Sequence, residues 1–219
     1  PGSGHSSAVS FTKPRFHEDI VNIVSSFINT LNLRPLTVFG HSFGGRVAMR
    51  LAANGKDSVR RLVLVGSTGF STQAALPELI LSLYPVAWCV SKTLLKPQRK
   101  NTLLEKFLRS AFYNPHTKLP GEFIDYFYEN MQRSHNLLFV SRLIAARKEL
   151  DASNMFSNIA CPTMLVWGEH DAIVPLQHAR ACFGAFPNAH AEVIAGAGHV
   201  PQIEQALVFN ERITQFLNT

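Results

Sequence analysis

The sequence predicts an α/β fold with a mainly parallel sheet, and three observations lead there. Short apolar or alternating runs at residues 36–39, 60–68, 163–167 and 191–195 have the length and β-branched content of buried strands. Segments of helical periodicity separate them, the order expected of parallel strands joined by crossover helices. Between residues 69 and 158 this rhythm stops, and helical, aromatic-rich segments take over. Core segments are therefore expected at 1–68 and 159–219, with a helical insertion at 69–158.

Taken in order, residues 14–33 carry apolar side chains at Ile20, Ile23, Val24, Phe27, Ile28 and Leu31, a stripe suited to packing on a sheet. The run Leu36-Thr37-Val38-Phe39 then leads into Gly-His-Ser-Phe-Gly-Gly, and helical spacing follows from Arg46 to Ala53. Ser42 thus falls on a strand-to-helix turn, with Gly40 and Gly44 two residues to either side. A sharp turn of this kind is expected to exclude a Cβ at the flanking positions and to hold the serine in a strained backbone conformation. Its hydroxyl would project from the carboxyl end of a strand, where a helix N-terminus favours developing negative charge. A Gly-rich turn capped by a serine is the plainer alternative. The insertion should contain helices near 76–95, 103–113, 123–131 and 137–150, and the αβ rhythm resumes at Pro162.

A serine nucleophile requires an imidazole to accept its proton and a carboxylate to orient that imidazole. In a strand–turn–helix arrangement the expected chain order is serine, acid, histidine. Asp171 lies in the loop beyond the 163–167 strand and its Gly168 turn, and His199 follows the break at Gly196 and Gly198. Both candidates fall past carboxyl ends of strands, the rim where open parallel sheets bind ligands. Glu169 is the nearest rival carboxylate, and Asp171 could instead cap the segment after it. His199 could be a loop histidine satisfied by backbone. His41 and His170 read as structural side chains, the latter with the option of facing substrate.

Together GHSFGG, WGEHDAIVP and GAGHVPQIEQ resemble the nucleophile elbow, acid loop and histidine loop of the α/β-hydrolase family. That resemblance implies a three-layer core, a helical cap inserted after the sixth strand, and a Ser42–Asp171–His199 triad. It also implies that the Phe43 backbone N–H contributes to the oxyanion hole. The opening PGSGHSS resembles the D-x-P-G-x-G-x-S segment that follows the fourth strand in the family; a flexible tail is the alternative. On that resemblance, the first strands would be absent, together with the His-Gly loop that supplies a second oxyanion donor. Loss of one such donor costs on the order of 3 kcal/mol in the barrier, and residues 36–39 would lie on an open sheet edge.

Composition fits a folded globular chain: 219 residues, 46% hydrophobic and 16% charged. No apolar run reaches the roughly 20 residues needed to span a bilayer. The net charge of +6 is scattered apart from a cluster at Lys92, Lys96, Arg99 and Lys100, which reads as a solvated face that tolerates an acidic substrate rather than a nucleic-acid surface. Three cysteines without C-x-x-C spacing suggest a reducing, cytoplasmic compartment. The histidines lack zinc-type spacing and GHSFGGR lacks a P-loop lysine, so neither metal nor cofactor is expected. The expected partner is a small molecule.

The expected substrate is a small to medium, largely apolar ester or related carbonyl compound, held under aromatic groups such as Phe70, Tyr84, Trp88, Phe112, Tyr126, Phe127 and Phe139. Family members with this triad include carboxylesterases, lipases, C–C bond hydrolases of ring-cleavage products and cofactor-free haloperoxidases. A serine nucleophile separates the chain from branches that use aspartate. A C–C bond hydrolase, or a fragment or binding protein that does not turn over, remains the alternative to an esterase.

Overall fold

The computed structural model describes residues 1–9, 16–55, 58–70, 105–114, 116–145 and 153–219. The expected helix at 76–95, with Tyr84, Trp88 and the Lys92–Lys100 cluster, lies outside the described residues. The chain divides into two compact units. One holds residues 1–23, 72–109 and 116–149, and the other 24–71, 110–115 and 150–219. Helix α1 (Phe16–Thr30) begins in the first and ends in the second.

The second unit is built on four parallel strands: β1 (Leu36–His41), β2 (Val59–Val65), β3 (Thr163–Gly168) and β4 (Ala189–Ile194), adjacent in that order. Parallel neighbours need a crossover, and α2 (Phe43–Asn54) supplies the one between β1 and β2. Every residue of β3 is buried, as are Leu62 to Val65 of β2. That is why these strands read as continuous apolar runs rather than alternating ones. Edge strand β1 alternates instead, leaving Phe39 50% exposed.

The short helices α6 (Leu176–Arg180) and α7 (Pro201–Glu204), then α8 (Ala206–Leu217), complete this unit. Phe209 and Ile213 of α8 join Val63, Val65, Met164, Val166 and Ile194 in one core cluster. The i, i+4 spacing of those two residues sets them on one helix face. A second apolar group is aromatic: Phe70 packs edge-on to Trp167, and Phe156 stacks on Phe186 at 4.5 Å. Phe70, expected among the pocket-lining aromatics, is thus a buried member of this cluster. The Trp167 indole N–H donates to the Val174 carbonyl at 3.0 Å, so burying Trp167 leaves no donor unmet.

In the first unit, α3 (Glu105–Arg109), α4 (Gly121–Gln132) and α5 (Ser134–Ala145) follow one another. Leu108 and Ile124 form a small core with Leu119, Phe123, Phe127 and Tyr128. Asn136 donates to the Asn130 carbonyl at 2.9 Å and so ties α5 to α4. The helix expected over 103–113 stops short of Tyr113. It ends at Arg109, whose guanidinium turns to Glu105 and to the Thr117 carbonyl. Between residues 69 and 158 the described residues contain no strand.

Candidate active site

The elbow is a conformational exception before it is a chemical one. Ser42 sits between β1 and α2 at φ 52° and ψ −121°. A non-glycine residue at positive φ is strained, and such strain persists only where surroundings over-determine it. Here they do. The Ser42 N–H donates to the Val65 carbonyl at 2.9 Å, and the Ser42 carbonyl accepts from Gly45 and Thr68 N–H groups, each at 3.1 Å.

The glycine requirement falls differently from the motif. A Cβ on Gly40 would overlap Gly45 backbone, and a Cβ on Gly45 would overlap the Ser67 side chain. Gly44, by contrast, has open space around its missing side chain. The expectation of a steric exclusion at both motif glycines therefore holds for Gly40 and is corrected for Gly44. The helix starts at Phe43, earlier than the apolar spacing suggests, which turns Gly44 outward and Gly45 toward the sheet.

Asp171 and His199 meet. His199 Nδ1–H donates to Asp171 Oδ2 at 2.8 Å, with the two residues 6% and 5% exposed. The other carboxylate oxygen, Oδ1, accepts from the N–H groups of Ile173 at 2.9 Å and Val174 at 2.8 Å. Three donors on an acceptor-only group fix its orientation. With its Nδ1 protonated toward Asp171, the imidazole keeps Nε2 as an acceptor. Gly66, just beyond β2, closes this pair from below at φ 48°. A Cβ there would stand 3.0 Å from Asp171 Oδ2 and 3.1 Å from His199 Nδ1.

His41 links the elbow to the histidine loop. Its Nε2–H donates to the His199 carbonyl at 2.8 Å, and the two rings lie 4.7 Å apart at 44°. Burial holds the His41 imidazole below its ordinary value of 6.5, so the neutral donor form persists near neutral pH. The rival carboxylate, Glu169, points elsewhere. It faces His170 at 3.4 Å, both side chains being about half exposed, and His170 stacks on Tyr113 at 4.0 Å. Phe43 opens α2, so its N–H lies at the helix N-terminus directly after Ser42.

Gly66 and Ala111 escape the motifs, and each touches the acid–histidine pair across a long stretch of sequence. Glu204 lies within GAGHVPQIEQ, but the motif assigns it no role; it accepts the Gly198 N–H six residues away and the Tyr113 and Asn114 N–H groups from far along the chain. Among the described residues, no group of three or more His, Cys, Asp or Glu could hold a metal ion.

A strained serine ahead of a helix, and a buried carboxylate–imidazole pair beyond parallel strands, form a constellation shared by many hydrolases. A family model described as the alpha/beta hydrolase fold matches residues 1–206. The chain belongs to the alpha/beta hydrolase fold family. It is 31% identical over 198 residues to a 2-hydroxy-6-oxononadienedioate/2-hydroxy-6-oxononatrienedioate hydrolase of Pseudomonas sp, covering 87% of this chain and 65% of that relative. To the enzyme of that name from Burkholderia vietnamiensis strain G4 it is 30% identical over 223 residues, covering 99% of this chain and 74% of the relative. The fold of this α/β-hydrolase chain also matches the solved 2-hydroxy-6-oxo-6-phenylhexa-2,4-dienoate hydrolase of Rhodococcus sp. strain RHA1. There the TM-score is 0.79 at 19% identity, over 100% of this chain and 77% of the other.

Proposed function

We propose that this α/β-hydrolase cleaves a bond beside a carbonyl group through Ser42, His199 and Asp171. The observation that carries the proposal is the buried 2.8 Å contact between His199 Nδ1–H and Asp171, tied by a hydrogen bond from the His199 carbonyl to His41, the residue beside a strained Ser42. In this reading, Ser42 Oγ attacks the carbonyl carbon while its proton moves to His199 Nε2. The Phe43 N–H donates to the oxygen that becomes negative. Collapse breaks the bond to the leaving fragment, whose electron pair takes the proton from His199. Water then gives a proton to the same imidazole, attacks the acyl-serine and releases a carboxylic acid, returning the proton to Ser42.

The leaving fragment distinguishes the finer readings. An ester releases an alkoxide. A 2-hydroxy-6-oxo-dienedioate releases carbon, and this is feasible once the dienol has shifted to its keto form, the 2-hydroxyl losing its proton and C5 gaining one; the pair left on C5 then spreads through the C3–C4 double bond to the C2 carbonyl as a conjugated dienolate. The two relatives at 30% and 31% identity act on compounds of the second kind, and they favour C–C hydrolysis for this chain. Ester hydrolysis, the reading the motifs alone favour, needs no such proton shift and otherwise differs only in the nature of that leaving group.

Fluorophosphonate labelling should mark the wild type and not Ser42→Ala. Turnover should then be compared on 2-hydroxy-6-oxonona-2,4-dienedioate, followed by loss of its conjugated absorbance, and on p-nitrophenyl esters of increasing acyl length. A higher kcat/KM on the dienedioate assigns C–C hydrolysis, and the reverse assigns an esterase. A folded wild type that is neither labelled nor active on either substrate overturns the serine mechanism.

A further inference from the structure

Glu204, in α7, is placed as no surface carboxylate would be by chance. Its Oε2 accepts the Gly198 N–H at 2.5 Å, and its Oε1 accepts the Tyr113 N–H at 2.7 Å and the Asn114 N–H at 3.4 Å. One side chain therefore joins the residue before His199 to a segment some ninety positions away. The same two strands of chain touch again directly, for the His199 N–H donates to the Ala111 carbonyl at 2.8 Å. They also pack without spare room. A Cβ on Gly198 would stand 2.7 Å from both the Ala111 oxygen and the Tyr113 nitrogen.

We propose that Glu204 is a positioning residue for His199, clamping the histidine loop onto the 111–114 segment so that the imidazole is held between Asp171 and Ser42. The inference rests on His199 serving as the base in the reaction proposed above. Its physical core is a count of donors. Three backbone N–H groups converge on two carboxylate oxygens. A carboxylate accepts on both sides, whereas the isosteric amide of glutamine offers one acceptor and turns a donor toward the other N–H. One side of the clamp must therefore open in Glu204→Gln, whichever way the amide settles. Backbone charge assistance makes these bonds stronger than neutral ones, so their loss displaces the loop rather than being absorbed.

A displacement of about 1 Å in a reacting group can cost 100-fold in rate. In Glu204→Gln, kcat should fall by about 10- to 100-fold, with KM within about twofold of wild type. Gly198→Ala breaks the same contact from the other side and leaves the carboxylate in place, so it should show the same split. Because both act through one contact, the double variant should lose little more than the worse single variant. The low-field proton resonance of the Nδ1–H shared by His199 and Asp171 should broaden in both, and that signal does not depend on turnover.

Glu204→Gln that matches the wild type in circular dichroism, kcat and the low-field resonance overturns the inference. So does a double variant whose losses multiply in full, or a loss in Glu204→Gln with none in a folded Gly198→Ala, since that would trace the effect to charge alone. If the wild type is inactive and unlabelled, the serine mechanism fails separately. The low-field resonance then decides between a clamp and a bystander.

Discussion

At the level of single residues, the site depends on hydrogen bonds whose direction is fixed by protonation. His41 donates from Nε2 to the His199 carbonyl while its burial disfavours the charged ring. The folded value is depressed below 6.5, so its contribution to stability is complete above that pH. It is lost as pH falls through 6.5 toward the folded value, because the unfolded chain takes up a proton that the folded chain resists. His41→Gln retains an amide donor but cannot titrate. Its urea midpoint should therefore drop less than that of wild type between about pH 7.5 and about pH 5. Equal drops in the two proteins would show that His41 does not carry this dependence.

The same scale explains how much of the site can be read in advance. The meeting of Asp171 and His199 is legible, because each follows a strand by a short, Gly-marked loop and the strands themselves announce their order. Gly66 is not, since its role comes from standing 3.0 Å below a carboxylate more than a hundred residues later in the chain. Glu204 stands within the histidine-loop motif, but its role is hidden for a related reason: its three partners are backbone N–H groups, which leave no trace in side-chain identity. Motifs report side chains that do chemistry and say little of the main chain that holds them.

Among elements, the start of α2 has the largest consequence. Apolar spacing begins at Arg46, but the helix begins at Phe43, because the polar and glycine positions of the first turn carry no hydrophobic signal. The two adjacent glycines consequently face different neighbours. Gly44→Ala should fold and stay active, with a change in stability of at most about 1 kcal/mol in the favourable direction, since alanine has the better helix propensity. Gly45→Ala meets the Ser67 side chain and should lower stability by about 1–3 kcal/mol in urea unfolding. A strong loss at Gly44 would mean that the motif glycine serves something other than space. The strands show the opposite pattern. Buried β2 and β3 are announced by their apolar runs, while β4 starts at Ala189, before alternation is visible, because most of its residues are exposed.

For the molecule as a whole, charge is the property that reaches furthest. A net charge of +6 attracts anions over a distance set by salt, with a screening length near 30 Å at about 10 mM and near 8 Å at about 150 mM. For a dianionic dienedioate, kcat/KM should therefore fall several-fold across that range, while a neutral p-nitrophenyl ester should be nearly indifferent. Matching salt dependence for the two substrates would remove global charge from the account. No helix among the described residues is long and apolar enough to cross a membrane.

The route of the chain between its two units carries a practical consequence. Residues 110–115 belong with the sheet, although the chain to either side of them belongs with the helices. An engineer who swapped residues 69–158 for the corresponding stretch of another hydrolase, hoping to transplant substrate preference alone, would also replace the segment that presents the Ala111 carbonyl and the Tyr113 and Asn114 amides. Such a chimaera would inherit a foreign grip on its own histidine. Exchanges that stop at residue 109 and restart at residue 116 are the ones that test specificity by itself.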